Sequence, residues 1–274
     1  MSLHKFASDW QTCTVRDGSE LAYRLISGTG KARYALVHSL AMGGDFWNLV
    51  VPYLQKSGEV LVYDCRGHGK SSKPPGPYTG ALFADDLKDL LDHIGWPSAI
   101  IAGASMGGCV SLAFASAYPR ATAGLGLIDT TCWYGADAPA QWEDRAQKAL
   151  TNGLAVLVDF QKTRWVSDQF RTEHADIVDA AIKVFMANDV AAYAEACRFL
   201  GRFDGRSALA SLTMPTTILV GEEDYAAPIA MAEYMHKHIP HSEFMIISGA
   251  RHLTPLECPQ LIANKLIELA AKAW

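Results

Sequence analysis

Ser105 is the residue whose surroundings in the sequence most clearly indicate chemistry. It lies at the centre of Gly103-Ala104-Ser105-Met106-Gly107, a G-x-S-x-G pattern between an apolar run and a helical segment. A sharp strand-to-helix turn at such a site exposes the serine oxygen, and the small residues two positions away prevent clashes within the turn. The start of the following helix favours negative charge beside the serine. The sequence therefore predicts that Ser105 is a nucleophile.

Two further residues complete a candidate catalytic triad. A nucleophilic serine needs a base to take its proton and an acid to orient that base. His252 follows the last apolar run of the chain and Asp224 ends the run before it, so the chain order is Ser, Asp, His, as in other proteins with this turn. We expect His252 to be the base and Asp224 to be the acid. The alternative acids are Glu222, Glu223 and Asp129.

Two backbone amides are expected to stabilise the oxyanion that forms when the serine attacks a carbonyl carbon. One belongs to Met106, immediately after the nucleophile. The other is expected from the loop His38-Ser39-Leu40, with Leu40 as the donor. Together with the triad, this oxyanion hole predicts acyl-transfer chemistry.

These residues depend for their positions on short apolar runs that end in turn or polar residues. Continuous apolar runs without alternation indicate strands buried on both faces, as in a parallel sheet. Residues 11–25 alternate instead and contain Asp17-Gly18, which predicts an antiparallel hairpin. The hairpin and six runs predict a mostly parallel, eight-stranded sheet. The runs are residues 34–38, 59–64, 99–105, 124–129, 216–224 and 244–249.

Helical patterns separate the runs. Residues 79–94 place leucines on one face and acidic residues, Asp86 among them, on the other. Residues 106–118 follow the Ser105 turn directly. Thr254-Pro255-Leu256-Glu257 fits a capping box and predicts the start of the C-terminal helix.

The alternation of strands and helices is interrupted between residues 130 and 207. This stretch carries helical patterns and several aromatic residues but no strand-like run, and the alternation resumes at Met214. We expect an inserted helical lid over the edge of the sheet where open α/β sheets bind ligands. The predicted class is α/β, with core residues 1–129, lid residues 130–207 and further core residues 208–274.

Composition and charge argue against some classes of partner and indicate a cellular compartment. The formal net charge is −5 and no Lys/Arg run occurs, which argues against nucleic acid and anionic membranes as partners. The first twelve residues lack the apolar stretch and cleavage site of a secretory signal. The six scattered cysteines are expected to be free thiols, which indicates a cytoplasmic protein.

Other motifs are weaker than they first look. The uncharged stretch 95–119 is broken by glycines, serines and prolines, so it predicts a strand, a turn and a packed helix rather than a membrane span. Gly69-Lys70-Ser71 lacks the first glycine of a P-loop. The histidines near residue 238 lack the spacing of metal ligands. We expect neither a metal nor a cofactor.

Two levels of family resemblance follow from these motifs. Residues 64–71, DCRGHGKS, resemble the D-x-R-G-x-G-x-S loop of many α/β-hydrolases, where the loop is structural. Over most of its length the chain is similar to the 3-oxoadipate enol-lactonases. The matching stretches are residues 38–47, the proline-rich segment up to Tyr78, 105–108, Trp142 with Arg145, 153–165 and 193–204.

The resemblance implies an α/β-hydrolase fold and hydrolysis of a small lactone that bears a carboxylate, by way of an acyl-enzyme. Arg145 and Arg164 lie beside Trp142 and Trp165 in the sequence, and an arginine fork over aromatic walls can hold a carboxylate. The alternative is that these arginines are solvated lid residues. The expected partner is a small ester or lactone, and a homo-oligomer is compatible with the sequence.

Four residues depart from the enol-lactonase pattern. Ala104 stands where those enzymes usually have Leu, Arg251 replaces Ala, and Thr254-Pro255 replaces Ser-Asn. Arg251 adjoins the predicted base, so it either alters the pocket or faces solvent. The alternative functions are a carboxylesterase or a carbon–carbon bond hydrolase of ring-cleavage products, with perhydrolase or haloperoxidase activity as a side reaction. An alternative of another class is a hydrolase-fold receptor that binds a small molecule with little turnover.

Overall fold

The sheet has the predicted size and direction. The structure, a computed structural model, describes residues 9–273. Within them, one sheet contains β1 (Gln11–Thr14), β2 (Glu20–Ile26), β3 (Ala32–Val37), β4 (Gly58–Tyr63), β5 (Ala99–Ala104), β6 (Thr122–Ile128), β7 (Thr216–Gly221) and β8 (Glu243–Ile247). The strand order is β1-β2-β4-β3-β5-β6-β7-β8. Only the β1–β2 and β2–β4 pairs are antiparallel.

Helices flank the sheet, and five of them make up most of the inserted segment between β6 and β7. The helices are α1 (Val51–Leu54), α2 (Gly80–His93), α3 (Met106–Ala117), α4 (Ala138–Asn152), α5 (Val158–Trp165), α6 (Asp168–Glu173), α7 (Ala175–Met186), α8 (Val190–Arg202), α9 (Ile229–His238), α10 (Thr254–Glu257) and α11 (Pro259–Ala273). We call α4 to α8 the inserted helices. A 3₁₀ turn at Arg206–Ser211 runs across residue 207, and the division of the chain into domains stays a prediction.

Burial explains why the central strands appear as apolar runs. Every residue of β5 and of β7 is buried, because helices lie on both faces of the sheet. The last run was expected to be buried in the same way, and this expectation is wrong for β8. That strand lies at the sheet edge, pairs only with β7 and leaves Ile246 40% exposed.

Two of the helix predictions had different outcomes. Helix α2 begins after Thr79, whose side chain accepts a hydrogen bond from the Leu82 amide. At the other end of the chain, the predicted capping box is wrong. Thr254 is the first residue of α10 rather than its cap, and its hydroxyl donates to Asp129. Helix α10 ends before Cys258, which separates it from α11.

The remaining sequence expectations concern membranes, thiols and the N-terminus. No helix in residues 9–273 is long and apolar enough to cross a membrane. All six cysteines are free, and five of them are buried. The expected lack of a secretory signal rests largely on residues 1–8, which lie outside the described residues.

The loop at residues 64–71 links the hairpin, the sheet and α2 through a buried arginine. The Arg66 side chain is 2% exposed and donates to both carboxylate oxygens of Asp86, at 2.6 and 2.5 Å. It also donates to Asp17 at 2.9 Å. Asp86 was expected on the polar face of α2, and this is wrong because its carboxylate is buried against Arg66. A buried charge persists only when it is paired, so this loop depends on Arg66.

We predict that Arg66→Ala lowers the free energy of unfolding by about 3–5 kcal/mol, because Asp86 loses its partner in a buried environment. Urea denaturation measures the change. Arg16→Ala is the matched control, since Arg16 also pairs with aspartates of α2 but is 48% exposed, and it should lose less than about 1 kcal/mol. Equal losses in the two variants would contradict the assignment.

Candidate functional site

The turn between β5 and α3 presents Ser105 as predicted. Ser105 has φ +54° and ψ −118°, a strained conformation for a residue with a side chain. A Cβ atom at Gly103 would lie 2.0 Å from the Gly107 carbonyl oxygen, and one at Gly107 would lie 2.1 Å from the Val37 carbonyl oxygen. Glycine at both positions therefore permits the close approach that the turn requires.

Ser105, His252 and Asp224 form one hydrogen-bonded chain. The Ser105 Oγ lies 2.8 Å from His252 Nε2, and His252 Nδ1 lies 2.9 and 3.0 Å from the two Asp224 carboxylate oxygens. An ionised carboxylate only accepts hydrogen bonds, so Nδ1 carries the proton and Nε2 accepts from the serine hydroxyl. All three side chains are buried. The structure therefore brings the predicted triad residues together.

The two glutamates considered as alternative acids have other partners. Glu222 accepts from the Ser248 hydroxyl and the Gly249 amide, and Glu223 accepts from Arg251. Asp224 Oδ1, by contrast, accepts from the Ala226 and Ala227 amides, at 2.8 and 2.9 Å, as well as from His252. These bonds hold the Asp224 carboxylate in place against the histidine ring.

Asp129, the third alternative acid, is a buried carboxylate next to the triad. It accepts from the Gly221 amide at 3.1 Å, and from the amide and the hydroxyl of Thr254 at 2.9 and 2.7 Å. No hydrogen bond joins it to His252 within the described residues. Burial, and then the nearby Asp224 charge, raise the pKa of Asp129 well above its usual value. Its geometry suits a residue that ties β6 to β7 and α10.

The triad residues shift each other's pKa values in opposite directions. Burial lowers the pKa of His252, but the charge of Asp224 and its hydrogen bond raise it by more, so the net shift is upward. Burial raises the pKa of Asp224, but His252 and the two backbone amides lower it to below its usual value. Asp224 therefore stays ionised, and His252 is a stronger base than a buried histidine without a partner.

The two predicted oxyanion donors lie at the ends of β3 and β5. Met106 is the first residue of α3, where an amide has no acceptor within the helix. Leu40 lines the same cavity as Ser105. Neither amide donates a hydrogen bond to another backbone group in the part of the chain that the structure describes. Both are therefore free to donate to a ligand.

His38 supports the Leu40 loop, a role that the sequence reasoning did not identify. Its Nε2 accepts from the Cys65 amide at 2.9 Å, and its Nδ1 lies 2.8 Å from the Ser39 carbonyl oxygen. Burial lowers the pKa of His38 to about 3, so the ring is neutral at physiological pH. Its position in a loop directly after a strand was the available signal.

A cavity of about 890 Å³ opens beside the triad. It lies between the edge of the sheet and helices α4 and α5. Ser105 and His252 line it, together with all four residues predicted to contact substrate, which are Trp142, Arg145, Arg164 and Trp165. The inserted helices therefore form one wall of the candidate site.

Both cavity arginines lie over aromatic rings and lack an acidic partner. Arg145 Nε donates to the Tyr193 hydroxyl at 2.7 Å, and its guanidinium lies 5.3 Å from the Trp142 ring centre. The Arg164 guanidinium lies 4.9 Å from the ring centre of Tyr225. Within residues 9–273 neither arginine forms an ion pair. The cavity therefore offers two uncompensated positive charges to an anion.

Tyr134 is a cavity residue that the sequence reasoning missed. It follows β6, lines the cavity and packs edge-on against Trp142, with the ring centres 5.3 Å apart. Burial raises the pKa of Tyr134 well above its usual value, whereas its interaction with the Ser105 side chain acts in the opposite direction. A protonated tyrosine can donate a hydrogen bond to a bound ligand. An aromatic residue just after a strand was the only signal in the sequence.

Comparisons with known proteins identify the family and the fold. Residues 36–259 match the family described as the alpha/beta hydrolase fold. The chain is 33% identical to 3-oxoadipate enol-lactonase 1 of Acinetobacter baylyi over 258 residues, which cover 90% of this chain and 91% of the enzyme. The crystal structure of the enol-lactonase from Burkholderia xenovorans superposes with a TM-score of 0.90 at 27% identity, covering 95% of this chain and all of that one. A thermophilic esterase from Thermogutta terrifontis also has a TM-score of 0.90, at 27% identity, covering 97% of this chain and 99% of that one.

We predict that Asp224→Asn lowers the pKa of His252 below its wild-type value, because the carboxylate charge disappears while the burial of the ring remains. The ring titration, followed by NMR with ¹⁵N-labelled histidine, measures this. Glu222→Gln is the control, since Glu222 bonds the Ser248–Gly249 turn and leaves the His252 ring untouched. An unchanged titration in Asp224→Asn would show that Asp224 does not set the base strength.

Proposed function

The chain is a hydrolase of the α/β-hydrolase fold family, and we propose that it opens a small lactone bearing a carboxylate through an acyl-enzyme on Ser105. One observation carries this proposal. The hydrogen-bonded chain Ser105–His252–Asp224 opens into a cavity whose wall holds two arginines that have no acidic partner in the described part of the chain. A nucleophile beside an anion site suits an ester whose acyl or alcohol part is negatively charged.

In the proposed acylation step, Ser105 attacks the lactone carbonyl carbon while its proton moves to His252 Nε2. The imidazolium that forms is stabilised by the ionised Asp224, which accepts from Nδ1. The carbonyl oxygen becomes an oxyanion that the amides of Leu40 and Met106 hold. Each such donor stabilises the transition state by about 3 kcal/mol.

Ring opening then leaves the acyl group on Ser105 and an enolate as the leaving group. His252 returns its proton to the enolate oxygen, and the enol tautomerises to a ketone. In a simple lactone the tethered alkoxide could attack the acyl-enzyme and close the ring again. Tautomerisation removes that nucleophile, so ring opening becomes effectively one-way. His252 next takes a proton from water, which attacks the acyl-enzyme, and it returns that proton to the Ser105 oxygen as the carboxylic acid leaves.

The two arginines are the proposed carboxylate subsite. Hydrogen bonds that involve a charged group contribute about 1.5–3 kcal/mol, and a planar guanidinium can form two of them with one carboxylate. Arg145 is already oriented by Tyr193 and Trp142, so little side-chain freedom is lost when an anion binds. We further propose that the inserted helices act as the lid of this site.

A carboxylesterase is the second candidate, and the size of the cavity favours it. Pockets of about 300–1,000 Å³ hold drug-sized ligands, so about 890 Å³ leaves room for a larger group than a small lactone carries. Val156 and Phe160 line the cavity and are 55% and 51% exposed, which suits an apolar extension of the substrate. The structural likeness to the Thermogutta esterase points in the same direction.

We predict that the wild type hydrolyses 3-oxoadipate enol-lactone and that Ser105→Ala lowers kcat by at least about a thousandfold, because only the oxyanion hole and binding remain. The rate of hydrolysis is measured from the fall in the ultraviolet absorbance of the lactone. If the wild type ignores the lactone but cleaves a nitrophenyl ester through Ser105, the esterase assignment replaces the lactonase. Saturable ligand binding without turnover of either compound would indicate a receptor.

We predict that Arg145→Gln and Arg164→Gln each raise KM for the carboxylate-bearing substrate by about tenfold or more, the equivalent of one charged hydrogen bond. A neutral nitrophenyl ester should change by less than about threefold in the same variants, because it has no anion to bind. Arg120→Gln, which alters an exposed arginine outside the cavity, is the control. An equal loss on both substrates would contradict a carboxylate subsite.

A further inference from the structure

The loop that carries His252 is bonded directly to the end of α5, which forms part of the cavity wall. We call residues 163–168 the α5–α6 junction and residues 251–253 the histidine loop. The Leu253 amide donates to the Trp165 carbonyl oxygen at 2.8 Å. Trp165 lines the cavity next to Arg164, so the wall and the base are already joined by one main-chain hydrogen bond.

Arg251, on the other side of His252, adds a side-chain link between the same two segments. Its guanidinium NH1 donates to the carbonyl oxygens of Thr163 and Val166, at 3.0 and 3.3 Å, and to the Asp168 carboxylate at 2.8 Å. Its Nε donates to Glu223, next to the triad acid, at 3.2 Å. One side chain, 11% exposed, therefore joins the junction to the segments that carry both His252 and Asp224.

The acceptors on the junction are groups that need a donor. The last carbonyls of a helix have no partner within the helix, and α5 ends at Trp165. A guanidinium satisfies two of these carbonyls and also opposes the negative end of the helix. Arg251 thereby stabilises the end of α5 in a way that an exposed ion pair alone does not.

Glu257 reinforces the link from α10. Its two carboxylate oxygens accept from the Ser167 amide at 2.8 Å and from the Arg251 amide at 2.7 Å. The junction and the histidine loop are thus joined by main-chain, guanidinium and carboxylate bonds at once. Neither segment can shift without breaking several of them.

We infer that Arg251 is a positioning residue, which holds the arginine-bearing end of α5 at a fixed place relative to His252. This inference rests on the proposed function, because it assigns Arg164 and His252 to the same substrate. Arg251 itself does not line the cavity. It acts through the backbone of residues 163–168 and determines where the carboxylate of a substrate sits relative to Ser105.

The test compares Arg251→Ala, Arg251→Lys and Arg171→Ala. Arg171 is the matched control, because it also pairs with Asp168 and donates to the Lys162 carbonyl oxygen but makes no bond to the histidine loop. In Arg251→Ala we expect KM for the carboxylate-bearing substrate to rise about tenfold and KM for a neutral nitrophenyl ester to stay within about twofold. Arg251→Lys should be intermediate, since one ammonium cannot serve Glu223 and the junction together.

Hydrogen exchange gives a readout that does not depend on turnover. The amides of Leu253 and Ser167 donate across the link, so both should exchange faster in Arg251→Ala and remain at wild-type rates in Arg171→Ala. If Arg251→Ala does not fold, Glu257→Gln replaces it, with the same expected direction in KM and exchange.

Three results would overturn the inference. They are an unchanged KM for the carboxylate-bearing substrate, equal effects in Arg251→Ala and Arg171→Ala, and unchanged exchange at Leu253 and Ser167. A uniform fall in kcat without a change in KM would show a merely structural role and would count against it as well. If the wild type hydrolyses neither substrate, the proposed function fails, and the exchange rates alone decide whether Arg251 holds the junction.

Discussion

The turn at Ser105 holds a residue with a side chain in a backbone conformation that few residues adopt, and the neighbouring elements are arranged around that requirement. The Ser105 amide donates to the Ile128 carbonyl oxygen of β6 at 2.9 Å, and the Thr130 hydroxyl donates to the Ser105 carbonyl oxygen at 2.7 Å. Gly108 leaves room for Thr130, because a Cβ atom at position 108 would lie 2.4 Å from the Thr130 side chain. Because the turn is held from both sides, the serine hydroxyl keeps its place against His252, 147 residues away in the chain.

The cavity arginines differ from several other arginines of the chain in their partners. The chain carries a formal net charge of −5, and several of its arginines bond to acids. On α4, for example, Glu143 is neutralised by Arg198 at 2.8 Å, whereas Arg145 on the same helix bonds to a tyrosine hydroxyl and to no acid among residues 9–273. The cavity beside Ser105 thus holds positive charge without an acidic partner among the described residues, although the chain as a whole is negatively charged.

The inserted helices contact both catalytic loops rather than simply covering them. The end of α5 bonds the histidine loop, and the Asn188 side chain, between α7 and α8, donates to the Ala41 carbonyl oxygen in the loop that carries Leu40. The loops that carry the proposed base and the proposed oxyanion donor are therefore each bonded to the inserted helices. Substitutions in the inserted helices can consequently alter the geometry of catalysis as well as the shape of the pocket.

Features that depend on local pattern could be predicted from the sequence. Apolar runs predicted the strands to within a few residues, the glycines around Ser105 predicted the turn, and the chain order of Ser105, Asp224 and His252 predicted which residues meet. These succeed because the period of a strand, the steric demands of a turn and the shared edge of parallel strands are all readable from spacing. The mostly parallel sheet followed from the same reasoning.

Tertiary structure alone decided the roles of isolated polar and aromatic residues. Asp86 looked like a solvated helix residue until Arg66 was found buried against it, and Asp129 looked like an alternative acid until its oxygens were found bonded to Gly221 and Thr254. Arg251 was expected either to alter the pocket or to face solvent, and only the folded structure shows that its side chain is mostly buried and bonded to the α5–α6 junction. The reason is physical: whether a charged side chain is buried, paired or exposed depends on partners far away in the chain, and spacing carries no record of them.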